Sequence, residues 1–135
     1  MNPITDEEMK TLMKAQQGEL DAVLMYNVLA DTVKDPKDAE TFRQLAKEEG
    51  GHATIFRELS GTTLKGRKTK AILVPLLYRC LGKKIAYPII ARKEYDAVKT
   101  YEPVVARFPS VQSVKDDEQR HGDTVKGLLD GTVNG

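Results

Sequence analysis

Two histidines are all that the chain has, and each stands three residues after a glutamate. The first pair, Glu49 and His52, follows Glu19 and Tyr26. The second, Glu118 and His121, follows Glu94 and Tyr101, so one order of residues occurs twice: Glu, six others, Tyr, then Glu-x-x-His. The copies read QGELDAVLMY with KEEGGH and RKEYDAVKTY with DDEQRH. With ten glutamates in 135 residues, two such Glu-x-x-His coincidences have a chance of roughly one in two hundred before the tyrosines are counted, which favours an internal repeat. The chain is therefore predicted to form two helical hairpins that bring four carboxylates and two imidazoles to one place.

Helical periodicity surrounds both copies. Over residues 5–33, Met9, Leu12, Gln16, Glu19, Val23, Tyr26 and Ala30 step by three and four along one face of a long helix, with Lys10, Lys14, Gln17 and Asp21 on faces open to water. Thr5 or Asp6 can cap its start, where Glu7 and Glu8 meet the positive end of the helix dipole. Asp35 and Pro36 start a second helix running to about residue 59, with Phe42, Leu45, Glu49, His52, Phe56 and Leu59 in its stripe. Gly50 and Gly51 each cost about 1 kcal/mol of helix propensity, which suggests a close backbone approach beside Glu49. Ser60-Gly61 ends this helix, and Gly66 with its basic neighbours reads as loop.

Residues 69–87 form an apolar connector, read as a short helix broken by Gly82. A long connection lets the second and third helices lie parallel. The third long helix is expected to begin near Pro88, with Ile90, Glu94, Ala97 or Val98, Tyr101, Val105 and Phe108 inward and Pro103 bending it. After Pro109-Ser110, a fourth helix to about residue 129 carries Val111, Val114, Glu118, His121, Val125 and Leu128 at the second helix's spacing. The tail DGTVNG is expected to fray.

Length and composition fit one soluble all-α domain over residues 1–135. A formal charge of +1 gives no electrostatic reason to expect nucleic acid as a partner. Cys80 is alone, so neither an intrachain disulfide nor a Cys-x-x-Cys metal site can form, and nothing in the sequence would activate its thiol. MNPITDEEMK lacks the blocks of a secretory signal, which makes a cytoplasmic location the default expectation. The stretch AILVPLLYRCLGKKIAYPII is interrupted by Arg79, Lys83, Lys84 and two prolines, so no membrane span is expected. It reads as an amphipathic segment lying on the bundle, with docking on a membrane surface as the alternative.

The chemistry follows from where the polar residues stand. Positions three apart on a helix share a face, so Glu49 with His52, and Glu118 with His121, can each offer an oxygen and a nitrogen to one point. Carboxylates in an apolar stripe are costly without a compensating cation. Two divalent ions would neutralise Glu19, Glu49, Glu94 and Glu118, and mixed oxygen and nitrogen donors suit iron or manganese better than calcium. Tyr26 and Tyr101 lie on the same faces, where a buried phenol seeks a partner such as a ligand carboxylate. Glu48 and Asp117, each beside a ligand, turn about 100° away and read as surface residues.

With Glu19, Tyr26, Glu48-Glu49-Gly50-Gly51-His52, Glu94, Tyr101 and Asp117-Glu118-Gln119-Arg120-His121 in view, the chain resembles the rubrerythrin family of ferritin-like di-iron carboxylate proteins, closest to an erythrin-like domain without rubredoxin. The resemblance implies an antiparallel four-helix bundle with a long crossover between helices two and three, often dimeric, so a homodimer is expected. It also implies two iron ions, with manganese or a mixed pair as alternatives, and reduction of hydrogen peroxide. Glu49 and Glu118 would bridge the metals or bind beside them, Glu19 and Glu94 would be terminal or bridging carboxylates, and His52 and His121 would cap the two ions. Two features depart from the family pattern. One cysteine cannot build a rubredoxin centre, so an external electron donor such as a rubredoxin-type protein is expected. Ala97 stands where an additional carboxylate is usual, which leaves the four-Glu, two-His set of bacterioferritin-like sites. The competing readings are a module that binds or oxidises ferrous iron, with oxygen in place of peroxide, and a helical interaction module without enzymatic activity.

Overall fold

A computed structural model describes residues 2–130; of the tail expected to fray, positions 131–135 lie outside the described residues. The chain is all-α, with five helices and no strand among the described residues. They are α1 (Asp6–Thr32), α2 (Pro36–Ser60), α3 (Thr69–Leu81), α4 (Lys83–Val105) and α5 (Val111–Asp130). Two compact units divide at Pro75 and Leu76, inside α3.

In the first unit α1 packs along α2. Thr5 caps α1 in a complete capping box: its hydroxyl accepts from the Glu8 amide and the Glu8 side chain accepts from the Thr5 amide. Asp35 caps α2 through the Lys37 amide, Pro36 opens its first turn, and Gly61 closes it with a φ of 68°. The short link between the helices makes them an antiparallel hairpin. Leu12, Tyr26, Leu29, Phe42, Leu45 and Phe56 are buried, and the rings of Tyr26 and Phe42 stack at 5.8 Å.

Asp21, expected on a watery face, is instead 3% exposed. Its carboxylate accepts from the Arg67 amide at 2.6 Å, from Arg67 Nε at 3.1 Å and Nη2 at 2.8 Å, and from Gln17 Nε2 at 2.8 Å. Gln17 also donates to the Lys65 carbonyl, while Gln16 donates to Thr62 O and accepts from Ser60 Oγ. The loop after α2 is thus strapped along α1. Gly66 lets it lie close, since a Cβ there would stand 2.8 Å from Leu24 Cδ1 and 3.0 Å from Leu20 O. Helical periodicity placed Asp21 correctly on its own helix but could not show that a loop more than forty residues later covers that face.

In the second unit α4 packs along α5, burying Ala86, Tyr87, Ile90, Val111, Val114, Val125 and Leu128. Here α4 begins at Lys83, five residues before the expected start near Pro88. The break falls on Gly82 alone, at φ 78°, where the positive dihedral that glycine permits turns the chain between α3 and α4. Pro88 falls inside α4 and is exposed, so the carbonyl it leaves without an amide partner can be hydrated. The helix also continues through Pro103 and ends two residues later, at Val105.

Burial alone would raise the Asp21 carboxyl, but its hydrogen bonds from the Arg67 side chain and amide and from Gln17 outweigh this and hold it below the ordinary carboxylate value. A group whose pKa falls on folding contributes stability above its unfolded pKa of about 3.9 and loses it as the pH drops through the folded value. Asp21→Asn is expected to lower stability by about 1–3 kcal/mol at neutral pH, with the gap from the unsubstituted protein narrowing below about pH 4. Urea denaturation across pH measures this; a gap that stays constant would show that the charge does not hold the strap.

Candidate metal centre

Each hairpin gathers one half of the repeated motif. In the first, α1 supplies Glu19 and α2 supplies Glu49 and His52, one turn apart; these are 2%, 1% and 3% exposed. His52 Nδ1 lies 2.9 Å from Glu49 Oε1 and 3.4 Å from Glu19 Oε2. In the second, α4 supplies Glu94 and α5 supplies Glu118 and His121, all buried. There His121 Nδ1 lies 3.3 Å from Glu118 Oε1 and 3.4 Å from Glu94 Oε2. The same nitrogen faces the same pair of carboxylates in both hairpins, as the repeat requires.

Within each triad the three donor atoms lie within 4.8 Å of one another and are shut off from water. Three of the four His–Glu separations exceed the roughly 2.7–2.9 Å of a charge-assisted hydrogen bond. Protonating the imidazole alone does not balance the charge: an imidazolium between two carboxylates still leaves one net negative charge in a buried place. A divalent cation beside a neutral imidazole cancels the charge and uses every facing donor. Carboxylate oxygen with imidazole nitrogen is the donor chemistry of manganese, iron and zinc sites rather than of calcium. The triads therefore fit a transition-metal ion by donor type, burial and charge.

Tyr26 and Tyr101 are buried, at 0% and 6% exposure, on the helices that carry Glu19 and Glu94. Glu48 and Asp117 turn away from the triads, with Gln44 donating to Glu48 and Arg120 donating to Asp117. Cys80 is an exposed free thiol.

The close backbone approach expected at Gly50 and Gly51 is absent. A Cβ on Gly51 would meet nothing within 4 Å, and one on Gly50 only Val23 Cγ2 at 3.9 Å. The tight place is Gly122, next to His121, where a Cβ would stand 2.5–2.8 Å from three ring atoms of Tyr95, the neighbour of Glu94. Tyr95 thus lies in a notch on α5, and its hydroxyl donates to Asp123 Oδ1 at 2.6 Å. Burial, followed by that hydrogen bond and the Asp123 charge, pushes the phenol up to about 12. The repeat carried a signal for this contact. Leu20 and Ala53 occupy the matching places in the first hairpin, so the second has exchanged a larger side chain on one helix for a smaller one on the other.

The family model described as Rubrerythrin matches residues 10–129. Reverse rubrerythrin-1 of Clostridium acetobutylicum is 32% identical over 119 residues, a match that covers 83% of this chain and 60% of that protein. The chain thus spans less than two thirds of this relative's length. No solved structure gives a significant match.

Gly122→Ala is expected to destabilise the protein by up to about 2 kcal/mol, the surplus of an overpacking cost of about 1–3 kcal/mol over the roughly 1 kcal/mol of helix propensity gained. Adding Tyr95→Leu, which restores the pairing of the first hairpin, should recover most of the loss. Thermal melts of the two single variants and the double variant measure the coupling; simple additivity would mean that the notch does not set the spacing of α4 and α5.

Proposed function

From the premise that this chain belongs to the rubrerythrin family, we propose that it is a non-haem di-iron oxidoreductase that reduces hydrogen peroxide to water with electrons from an external donor. The observation that carries the proposal is the pair of matching buried triads, Glu19, Glu49 and His52 in one hairpin and Glu94, Glu118 and His121 in the other. Together they hold two iron ions in a ferritin-like bundle. When bound, the ions supply one electron each to the peroxide, which takes up two protons and yields two waters.

The protein's part is to hold, orient and neutralise. His52 and His121 each give one nitrogen to one ion. Glu49 and Glu118, three residues before them on the same helical faces, would hold the ions beside them, and Glu19 and Glu94 would complete the set from the facing helix of each hairpin. Four carboxylates match the charge of two ferrous ions, so the loaded site carries no net charge into its buried surroundings. Tyr26 and Tyr101, buried on the helices that carry Glu19 and Glu94, are the phenols proposed to orient the ligand carboxylates. A rubredoxin-type protein is the proposed donor, because the one thiol, Cys80, is no redox centre by itself. The proposed assembly is a homodimer in the cytoplasm.

Protein loaded anaerobically with ferrous iron is expected to hold two ions per chain and to be oxidised faster by peroxide than by an equal concentration of oxygen, as followed by stopped-flow absorbance. Glu49→Ala and Glu118→Ala should each lose metal and turnover together, whereas Tyr26→Phe should retain its metal and lose roughly 10- to 100-fold in rate. Faster oxidation by oxygen, with iron released afterwards, would instead identify an iron-oxidising module. Rapid peroxide reduction that survives loss of either glutamate would remove the triads from the chemistry.

A further inference from the structure

Exposed large apolar side chains are not scattered over the described residues. Apart from Val28, all of them lie on α3 and the first two turns of α4: Ile72, Leu73, Leu76, Leu81, Ile85 and Ile89, each 44–62% exposed. Single exposed aliphatics are ordinary on a soluble protein; six in eighteen consecutive residues form a pattern. Within α3, Leu81 stands alone at the C-terminal end, and the other three keep to one side. Ile72, Leu73 and Leu76 share a helical face, whereas Ala71 and Pro75 are buried on another.

Charge is segregated over the same stretch. Between Glu58 and Glu94 stand nine basic residues and no acidic one, so the rest of the chain holds all 20 acidic residues against 12 basic. Lys68, Lys70, Arg79 and Lys84, which flank the apolar positions, are exposed. No described helix is long and apolar enough to cross a membrane. At 13 residues α3 is about 20 Å long, a length suited to lying along a surface.

We propose that α3 docks on an anionic lipid bilayer, with Ile72, Leu73 and Leu76 entering the acyl boundary and the flanking Lys68, Lys70 and Arg79 at the lipid phosphates. The two halves of the pattern select this occupant. A second copy of the same face would cover the apolar side chains but set the basic residues of two chains against each other. A neutral bilayer would take the apolar face and leave the charge unanswered. Anionic lipid supplies both the apolar boundary and the counter-charge. The docking rests on neither the triads nor any bound metal.

Cosedimentation of the full chain with vesicles tests the assignment. Binding is expected to vesicles of phosphatidylcholine mixed with phosphatidylglycerol, not to phosphatidylcholine alone, and to weaken when salt rises from about 0.05 to about 0.5 M. Lys68→Glu with Lys70→Glu should reduce partitioning at least roughly fivefold per lysine, the factor that corresponds to about 1 kcal/mol for each basic residue near an anionic surface. Ile72→Ser with Leu76→Ser should abolish binding while circular dichroism shows the helix content retained. Equal partitioning to neutral and anionic vesicles would overturn the proposal, as would failure of wild-type protein to bind either. If light scattering shows a dimer that Ile72→Ser with Leu76→Ser converts to a monomer, and wild-type protein binds no vesicle, the face belongs to a second copy.

Discussion

Moving a carboxylate out of water costs several kcal/mol even after the surroundings relax, and each hairpin does so twice at one place. Hydrophobic packing cannot offset like charges whose oxygens lie within 4.8 Å of each other and of a single imidazole. The apolar stripes of α1, α2, α4 and α5 therefore do more than hold helices together. They fix four glutamates in positions that make sense only with positive charge among them. Tyr26 stacked on Phe42, with Leu45 and Phe56 along the same hairpin, packs the core beside Glu19, Glu49 and His52.

The two hairpins reach this end by different packing. In the first, the carboxylate-bearing helix is tied down from outside: Asp21, two residues after Glu19, anchors the loop that runs back along α1. In the second, the matching aspartate, Asp96, is exposed, and the helices are brought together by Tyr95 in the Gly122 notch. Both devices act one or two residues from a ligand glutamate, where a small rotation of the helix would move the carboxylate most. The repeat has kept the donor residues and varied what supports them.

This divergence explains what could be read from the sequence. Spacing along a helix is local, so the inward stripes, the caps at Thr5 and Asp35 and the sharing of a face by Glu49 and His52 were legible at once. What escaped were contacts closed by distant segments. Asp21 looks like any solvated acid until Arg67 arrives 46 residues later, and Gly50-Gly51 attracts attention that belongs to Gly122. α4 starts at Lys83 and not near Pro88, because a lone glycine at positive φ breaks the helix and a proline within it need not. The chain instead tolerates Pro88 on an exposed face and turns at Gly82, where the dihedral changes sign. Comparing the two copies position by position would have exposed the exchange of Leu20 and Ala53 for Tyr95 and Gly122.

Net charge conceals as much as it reveals. A value of +1 describes a chain without electrostatic preference, yet it is the sum of a strongly basic stretch and an acidic remainder. The Debye length at physiological ionic strength is about 8 Å, so a partner approaching α3 feels the lysines beside it and little of the acids farther away. Average hydropathy fails in the same way, because the buried Ala71 and Pro75 and the exposed Ile72, Leu73 and Leu76 enter a window average alike. Only the division of α3 into a buried and an exposed side separates side chains that stabilise the fold from side chains the fold does not use. The latter cost solubility, so six of them in a stretch of sequence with basic residues and no acidic one call for a partner outside the fold's own core.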